Sequence, residues 1–298
     1  MIEKKTKQNN FVLGVIGGSG VYDINGVEDG QWVKVDTPFG APSDEIFTGR
    51  MGDLDVAFLP RHGRGHIFSP STVPYQANVY AMKLLGVTDL LSISACGSLR
   101  EDFKPGEFVI VDQFIDRTFA RKKTFFEGDC VAHVSVAHPV CSRLGRLCGE
   151  AMKSLGISCH AKGTYIAMEG PQFSTMAESR LYKENWHCDV IGMTNMPEAK
   201  LVREAEICYS SIAMVTDFDC WHPDHESVDV QQIVKVLLGN AEKAKVMIKN
   251  LIDNFEDHID PNDPTNNCLD VAIITAPEKR TQKTIDKLKT VAGRALIK

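Results

Sequence analysis

The 298-residue chain has no C-x-x-C pair, no surplus of positive charge and no internal repeat. It also has no run near the ~18 apolar residues that a membrane-crossing helix requires. Each absence excludes something. Nine cysteines, scattered and odd in number, offer no structural-zinc spacing. A chain of this length builds a core without covalent staples, so reduced thiols in a cytosol are expected. A formal net charge of −6 and a pI near 5.9 argue against nucleic acid as the main partner. Residues 1–10, basic but too polar for a signal peptide, read as a flexible tail. The expectation is a protein with no membrane or nucleic-acid partner, cytoplasmic, with the nucleus as a second location.

Short apolar runs dominate what remains. Val12–Ile16, Val56–Leu59, Leu90–Ile93, Phe108–Val111, Val190–Met193 and Ile207–Val215 are too uniformly apolar to alternate. They suit strands covered by helices on both faces. Helical spacing marks Tyr75–Leu85, closed by Gly86, then Glu198–Glu206 and Asp229–Phe255. An Asp/Asn/Pro-rich loop follows at 254–268, then a final amphipathic helix from about Glu278. The composition implies one α/β domain over 11–298, with 254–298 as a C-terminal helical appendage.

Familiar phosphate signatures are missing as well. In 14-GVIGGSGVYD-23, Asp23 stands where G-x-G-x-x-G needs its last glycine, and no Gly-Lys-Ser/Thr follows. A glycine turn is left, either plain or an anion nest completed by the Ser19 hydroxyl. Two more strands end in polar, Gly-rich loops. The loop 60-PRHGRGHIFSP-70 carries Arg61, His62, Arg64 and His66, where Arg can grip an oxyanion bidentately and His can add a donor. The segment 92-SISACGSLRED-102 presents Ser94, Ala95, Gly97 and Ser98, small enough to admit a ligand at the carboxyl edge of a sheet. Solvated loop charge explains any one of these; their convergence points to an anion site.

In 168-MEGPQFSTMAES-179, Phe173 stands between a proline turn and the hydroxyls of Ser174 and Thr175, placed to stack on a flat ligand or to fill a core. Last comes 216-TDFDC-220. A solvated loop start, a metal set of Asp217, Asp219, His222 and His225, and an acid–base pair all fit these residues. In extended chain the two carboxylates lie roughly 6–7 Å apart on one side. Their repulsion is then about 2.5 kcal/mol, roughly two pKa units. With desolvation by Phe218 and Trp221, one acid would stay protonated near neutral pH, as a general acid requires.

Taken together, GVIGGSG, DTPFGAPSD, RHGRGH, SACGSLRE through DQFIDRT, EGPQFS, GMTNMPE and TDFDCW resemble the methylthioadenosine-cleaving branch of the trimeric purine nucleoside phosphorylase family. The likeness spans about residues 12 to 252. It implies a phosphorylase-type mixed central β-sheet flanked by helices, a homotrimer, and phosphorolysis of a nucleoside without metal or organic cofactor. By that resemblance Ser19, Arg61, His62, Ser94, Ala95 and Thr194 fall at phosphate. Phe173, Ser174 and Met193 fall along base and ribose, and Asp217 and Asp219 at the purine as acid and amine reader. His66 and Val230 fall at the 5′ end, and His133 reaches a neighbouring subunit's pocket. The C-terminal helix would close over the 5′ group. Serine replaces the usual threonine at 19 and 94, losing the methyl that restrains χ1, and Gly192 stands where asparagine is common. Aspartate at 217, where 6-oxopurine-cleaving relatives resemble one another in carrying asparagine, implies adenine rather than hypoxanthine.

Overall fold

The structure, a computed structural model, describes residues 11–18, 25–223, 230–255 and 263–296. In chain order its elements begin with β1 (Val12–Gly17), β2 (Glu28–Val33), β3 (Ile46–Met51), β4 (Leu54–Pro60), α1 (Tyr75–Leu84) and β5 (Asp89–Ser98). Next come β6 (Phe108–Val111), β7 (Gln113–Asp116), α2 (Ser142–Ser154), β8 (Cys159–His160), β9 (Thr164–Ala167) and α3 (Met176–Arg180). The last are β10 (Val190–Gly192), α4 (Asn195–Glu204), β11 (Cys208–Asp217), α5 (Val230–Asp253) and α6 (Gln282–Leu296).

The strands form one mixed sheet in the order β2-β3-β4-β1-β5-β10-β9-β7. The apolar strands bury both faces, as their sequences require. Leu13 and Val15 of β1 enter one core with α2 and α5, while Ile16 enters the other with α1, α4 and α6. The decisive feature is a fork. Strand β5 pairs in parallel with β11 as far as Gly97, and its Gly97 and Ser98 also pair with antiparallel β10. A bulge between Val215 and Asp217 shifts the register of β11 at the same level. Such a bulge re-aims the side chain beyond it.

Several elements escape sequence patterning. Nearly all of β2 is exposed, so no core-facing alternation betrays it. Helix α2 carries Gly145 and Gly149, which read as breakers, but a Cβ at either would press on Ile110 at 3.3 or 3.0 Å. Close helix–sheet packing requires the glycines.

One expectation is corrected. Cys141 and Cys208 form a disulfide with Cα atoms 5.4 Å apart, so the thiols are not all reduced; the other seven cysteines are free. The bond joins the start of α2 to the start of β11, a proximity that a sequence separation of 67 conceals. Helix α6 supplies no lining residue to the crevice of its own chain. Leu288, Val291, Ala292 and Leu296 of α6 are buried in the core shared with α1, and Arg294 pairs with Glu206 at 2.6 Å.

Glu204 closes α4 in a buried position, where its Oε2 accepts the Phe125 N–H at 2.7 Å. Burial outweighs that bond and raises its pKa to about 7 from 4.5. The folded state therefore holds this proton more tightly than the unfolded chain. Stability is fully present below pH 4.5 and is lost as pH rises through 7, by about 3 kcal/mol in all. Glu204→Gln is expected to flatten that decline. Urea midpoints at pH 5 and pH 8, measured for both proteins, check it.

Candidate active site

The fork opens into a cavity of about 260 Å³. A larger cleft, about 760 Å³, lies along α2, but Ile110, Val140 and Ile157 make its floor apolar. The polar strand ends meet only at the fork. From β1 comes Gly18, from the loop after β4 Arg61, His62 and His66, and from β5 Ser94, Ala95, Cys96 and Gly97. Opposite stand Met168 and Phe173, then Gly192, Met193 and Thr194 after β10, and Asp217 and Asp219 after β11. Ile233 and Leu237 of α5 supply an apolar side. Ser19 and His225 lie outside the described residues, as does the side chain of Val230.

Asp217 sits beyond the bulge with its Oδ1 accepting the Asp219 backbone N–H at 2.8 Å and its Oδ2 facing the Thr216 hydroxyl at 2.7 Å. Gly97 opposite is obligatory, because a Cβ there would lie 3.0 Å from the Asp217 carboxylate. Asp219 takes a left-handed backbone (φ 52°), which Asp tolerates better than most residues. Its side chain is buried, and its Oδ2 meets no hydrogen-bond partner among the described residues. Burial raises the Asp219 pKa against the moderating Ser179 and Ser174 hydroxyls. Ser174 therefore stands behind Asp219 rather than on the cavity wall. The chain turn drives the Asp219 carboxyl inward, which is the source of its burial.

At the other end Arg61 lines the cavity, with most of its hydrogen-bonding capacity used within the protein. It is buried and paired with Glu198, Nε to Oε2 at 2.8 Å and Nη2 to Oε1 at 3.2 Å. It also donates to the Ile16 and Ile93 carbonyls and the Ser92 hydroxyl. Nη1 makes one of these bonds, to Ile93, and the guanidinium charge stands at the cavity wall. His62, expected as a donor, holds its Nδ1 2.8 Å from the Phe68 carbonyl, which fixes the proton there. Burial, reinforced by Arg61, His66 and Arg121, lowers its pKa to about 4 despite the Phe68 bond. Neutral His62 thus presents Nε2 as an acceptor. The His66 ring stacks on it at 4.2 Å. Arg64 faces away, bound to Asp44 and Glu45 and lying over Trp32.

Ser94 donates to the Asn195 Oδ1 at 2.9 Å, and Asn195 donates in turn to the Tyr209 hydroxyl, which bonds Glu198 at 3.0 Å. Phe173 lies half exposed at the mouth. His133 is exposed, its N–H bonded to the Ala272 carbonyl, and does not line this cavity.

Sequence reasoning missed Arg121. Buried behind the wall, it donates to the Met193 and Met196 carbonyls at 2.5 and 2.7 Å and to the Glu169 carbonyl at 2.7 Å. It also pairs with the Glu169 carboxylate at 3.2 Å. One planar fork thereby ties the 168–169 and 193–196 segments together. No local pattern around residue 121 signals this.

A forked mixed sheet with an anion-sized polar end, an aromatic and an acidic doublet defines a nucleoside-phosphorylase type of site. Residues 12–253 match the Phosphorylase superfamily, and the chain belongs to it. The S-methyl-5′-thioadenosine phosphorylase of Cereibacter sphaeroides is 60% identical over 287 residues, covering 96% of this chain and 98% of that one. The one from Rhodospirillum rubrum is 58% identical over 286 residues, covering 96% and 97%. Among solved structures, a methylthioadenosine phosphorylase from an antarctic soil metagenomic library aligns with a TM-score of 0.89 at 44% identity, over 95% of this chain and 99% of that one. The Schistosoma mansoni enzyme in complex with adenine aligns at 0.78 and 37% identity, over 82% and 91%.

Proposed function

We propose that the chain catalyses phosphorolysis of 5′-methylthioadenosine to adenine and 5-methylthioribose 1-phosphate. The observation that carries this is the acidic doublet facing an apolar and aromatic wall across one cavity, in a chain 60% identical to an S-methyl-5′-thioadenosine phosphorylase. Cleavage of the C1′–N9 bond builds positive charge on the ribosyl ring and negative charge on the purine. Phosphate, held at the Ser94–Thr194 end in the field of Arg61, attacks C1′ and stabilises that ring. Asp217 gives a proton to purine N7, and Asp219 accepts from the exocyclic amine. His62 Nε2 takes the P–OH hydrogen of HPO₄²⁻, so a neutral nucleoside and a phosphate dianion become neutral adenine and a sugar-phosphate dianion. No metal or organic cofactor enters the scheme.

The adenine-release assay, run with and without phosphate, tests it. Release without phosphate, or none at all, would overturn the reading. An apolar 5′ wall favours methylthio over hydroxyl by about 1–3 kcal/mol. Methylthioadenosine should therefore exceed adenosine in kcat/KM by roughly 5- to 150-fold, and a preference for adenosine would refute the assignment.

The homotrimer belongs to the same proposal. Phe119 is 81% exposed and Val271 91% exposed, and both are available for burial in such an assembly. His133 would then serve a neighbour's cavity. Sedimentation equilibrium decides it, since a monomer at assay concentration would exclude that role. A cytoplasmic location is also proposed; thiol titration after anaerobic lysis checks it against the Cys141–Cys208 bond.

A further inference from the structure

Strand β9 places Tyr165 directly behind Gly192. A Cβ built on Gly192 would lie 1.9 Å from the Tyr165 hydroxyl oxygen and 2.6 Å from the ring carbon that bears it. No side chain at 192 is compatible with that tyrosine, so the hydroxyl occupies the volume a residue-192 side chain would take. Tyr165 is fully buried. Its hydroxyl has no hydrogen-bond partner among the described residues. The polar groups near enough to act on it are the Ser94 hydroxyl and the Thr194 backbone N–H.

We propose that Tyr165 is a positioning residue for phosphate, its hydroxyl supporting Ser94 and Thr194 from behind in place of a side chain at Gly192. The inference rests on the reading of those two residues as phosphate ligands. A buried hydroxyl left without a bond carries a desolvation penalty, and such a group persists where an occupied site completes it. In the free protein the Ser94 hydroxyl points its hydrogen to Asn195. The Ser94 oxygen keeps its acceptor lone pairs whichever way that hydrogen points, so Tyr165 can donate to it while the Ser94 hydrogen is given to a phosphate oxygen. Burial pushes the Tyr165 pKa up to about 12, so the hydroxyl keeps its proton to donate across the neutral range. The support also offsets the missing methyl of Ser94, whose rotamer is otherwise less restrained than that of threonine.

Tyr165→Phe removes only the oxygen. The expected result is a phosphate KM raised about tenfold, a methylthioadenosine KM within about twofold of wild type, and a Tm equal to or above it. A fall in Tm with both KM values unchanged would show a merely structural hydroxyl and overturn the proposal, as would no change in any of the three. Gly192→Asn supplies the second arm. Alone it should abolish soluble activity, and combined with Tyr165→Leu it should recover phosphate-dependent turnover. Failure of the pair to exceed Gly192→Asn would also count against the inference. Wild-type adenine release that ignores phosphate would instead sink the functional reading, so the two failures are separable.

Discussion

Asp217→Asn is expected to lower kcat at least 100-fold while leaving Tm within a few degrees of wild type. General acid catalysis by a positioned side chain is worth roughly 10²–10⁴-fold, and asparagine at neutral pH has no proton to release to N7. The local structure should survive the change. The amide oxygen still accepts from the Asp219 N–H, now 2.8 Å from Asp217 Oδ1. The amide nitrogen can donate to the Thr216 hydroxyl, which keeps the Cys96 carbonyl as its own acceptor at 3.1 Å. A second readout separates lost chemistry from lost binding. An amide can donate to a 6-oxopurine where a carboxylate would repel it, so the ratio of methylthioinosine to methylthioadenosine cleavage should rise. Turnover near wild type would remove Asp217 from the acid role. A lowered kcat with an unchanged substrate ratio would remove it from base selection.

Glu198→Ala should be the most damaging substitution for stability. Arg61 and Glu198 are each 1% exposed, and removing one partner of a buried pair strands the other charge, at about 3–5 kcal/mol. For a domain of this size that corresponds to a Tm lower by roughly 6–15 °C. The same carboxylate receives the Ser92 and Tyr209 hydroxyls, and through Tyr209 and Asn195 the network reaches Ser94. Phosphate KM should therefore rise as well. Arg61→Met paired with Glu198→Leu should recover part of the lost stability, because an apolar pair leaves no uncompensated ion. If Arg61 is also a direct phosphate ligand, the double variant should keep a raised phosphate KM even where Tm recovers. The full thermal and kinetic set from these variants distinguishes the two roles.

The strand ends were the legible part of the site. Glycine, serine, histidine and aspartate interrupt apolar runs at Gly18, His62, Ser94 and Asp217, and polar interruption at a buried strand's carboxyl end is a local signal. The apolar runs themselves announced the mixed α/β sheet, because strands covered on both faces have little freedom of composition. Where side chains point was another matter. The spacing of Asp217 and Asp219 suggested two acids on one side of an extended strand, but the bulge before Asp217 and the left-handed turn at Asp219 break that geometry. Burial then raises the Asp219 pKa.

Arg61 read as an anion ligand because its neighbours in the chain are His62 and Gly63. Its actual partner is Glu198, 137 positions away, and only folding brings that carboxylate within reach of a guanidinium that the core would otherwise reject. Arg121 and the carbonyls it ties together, the Cys141–Cys208 bond, and the Tyr165 hydroxyl filling the room behind Gly192 are of the same kind. What the sequence determined by itself was the chemistry available at each strand end and the class of sheet that carries it. Tertiary structure decided which charges are neutralised in the core and which face the cavity, because desolvation and pairing depend on neighbours distant in the chain.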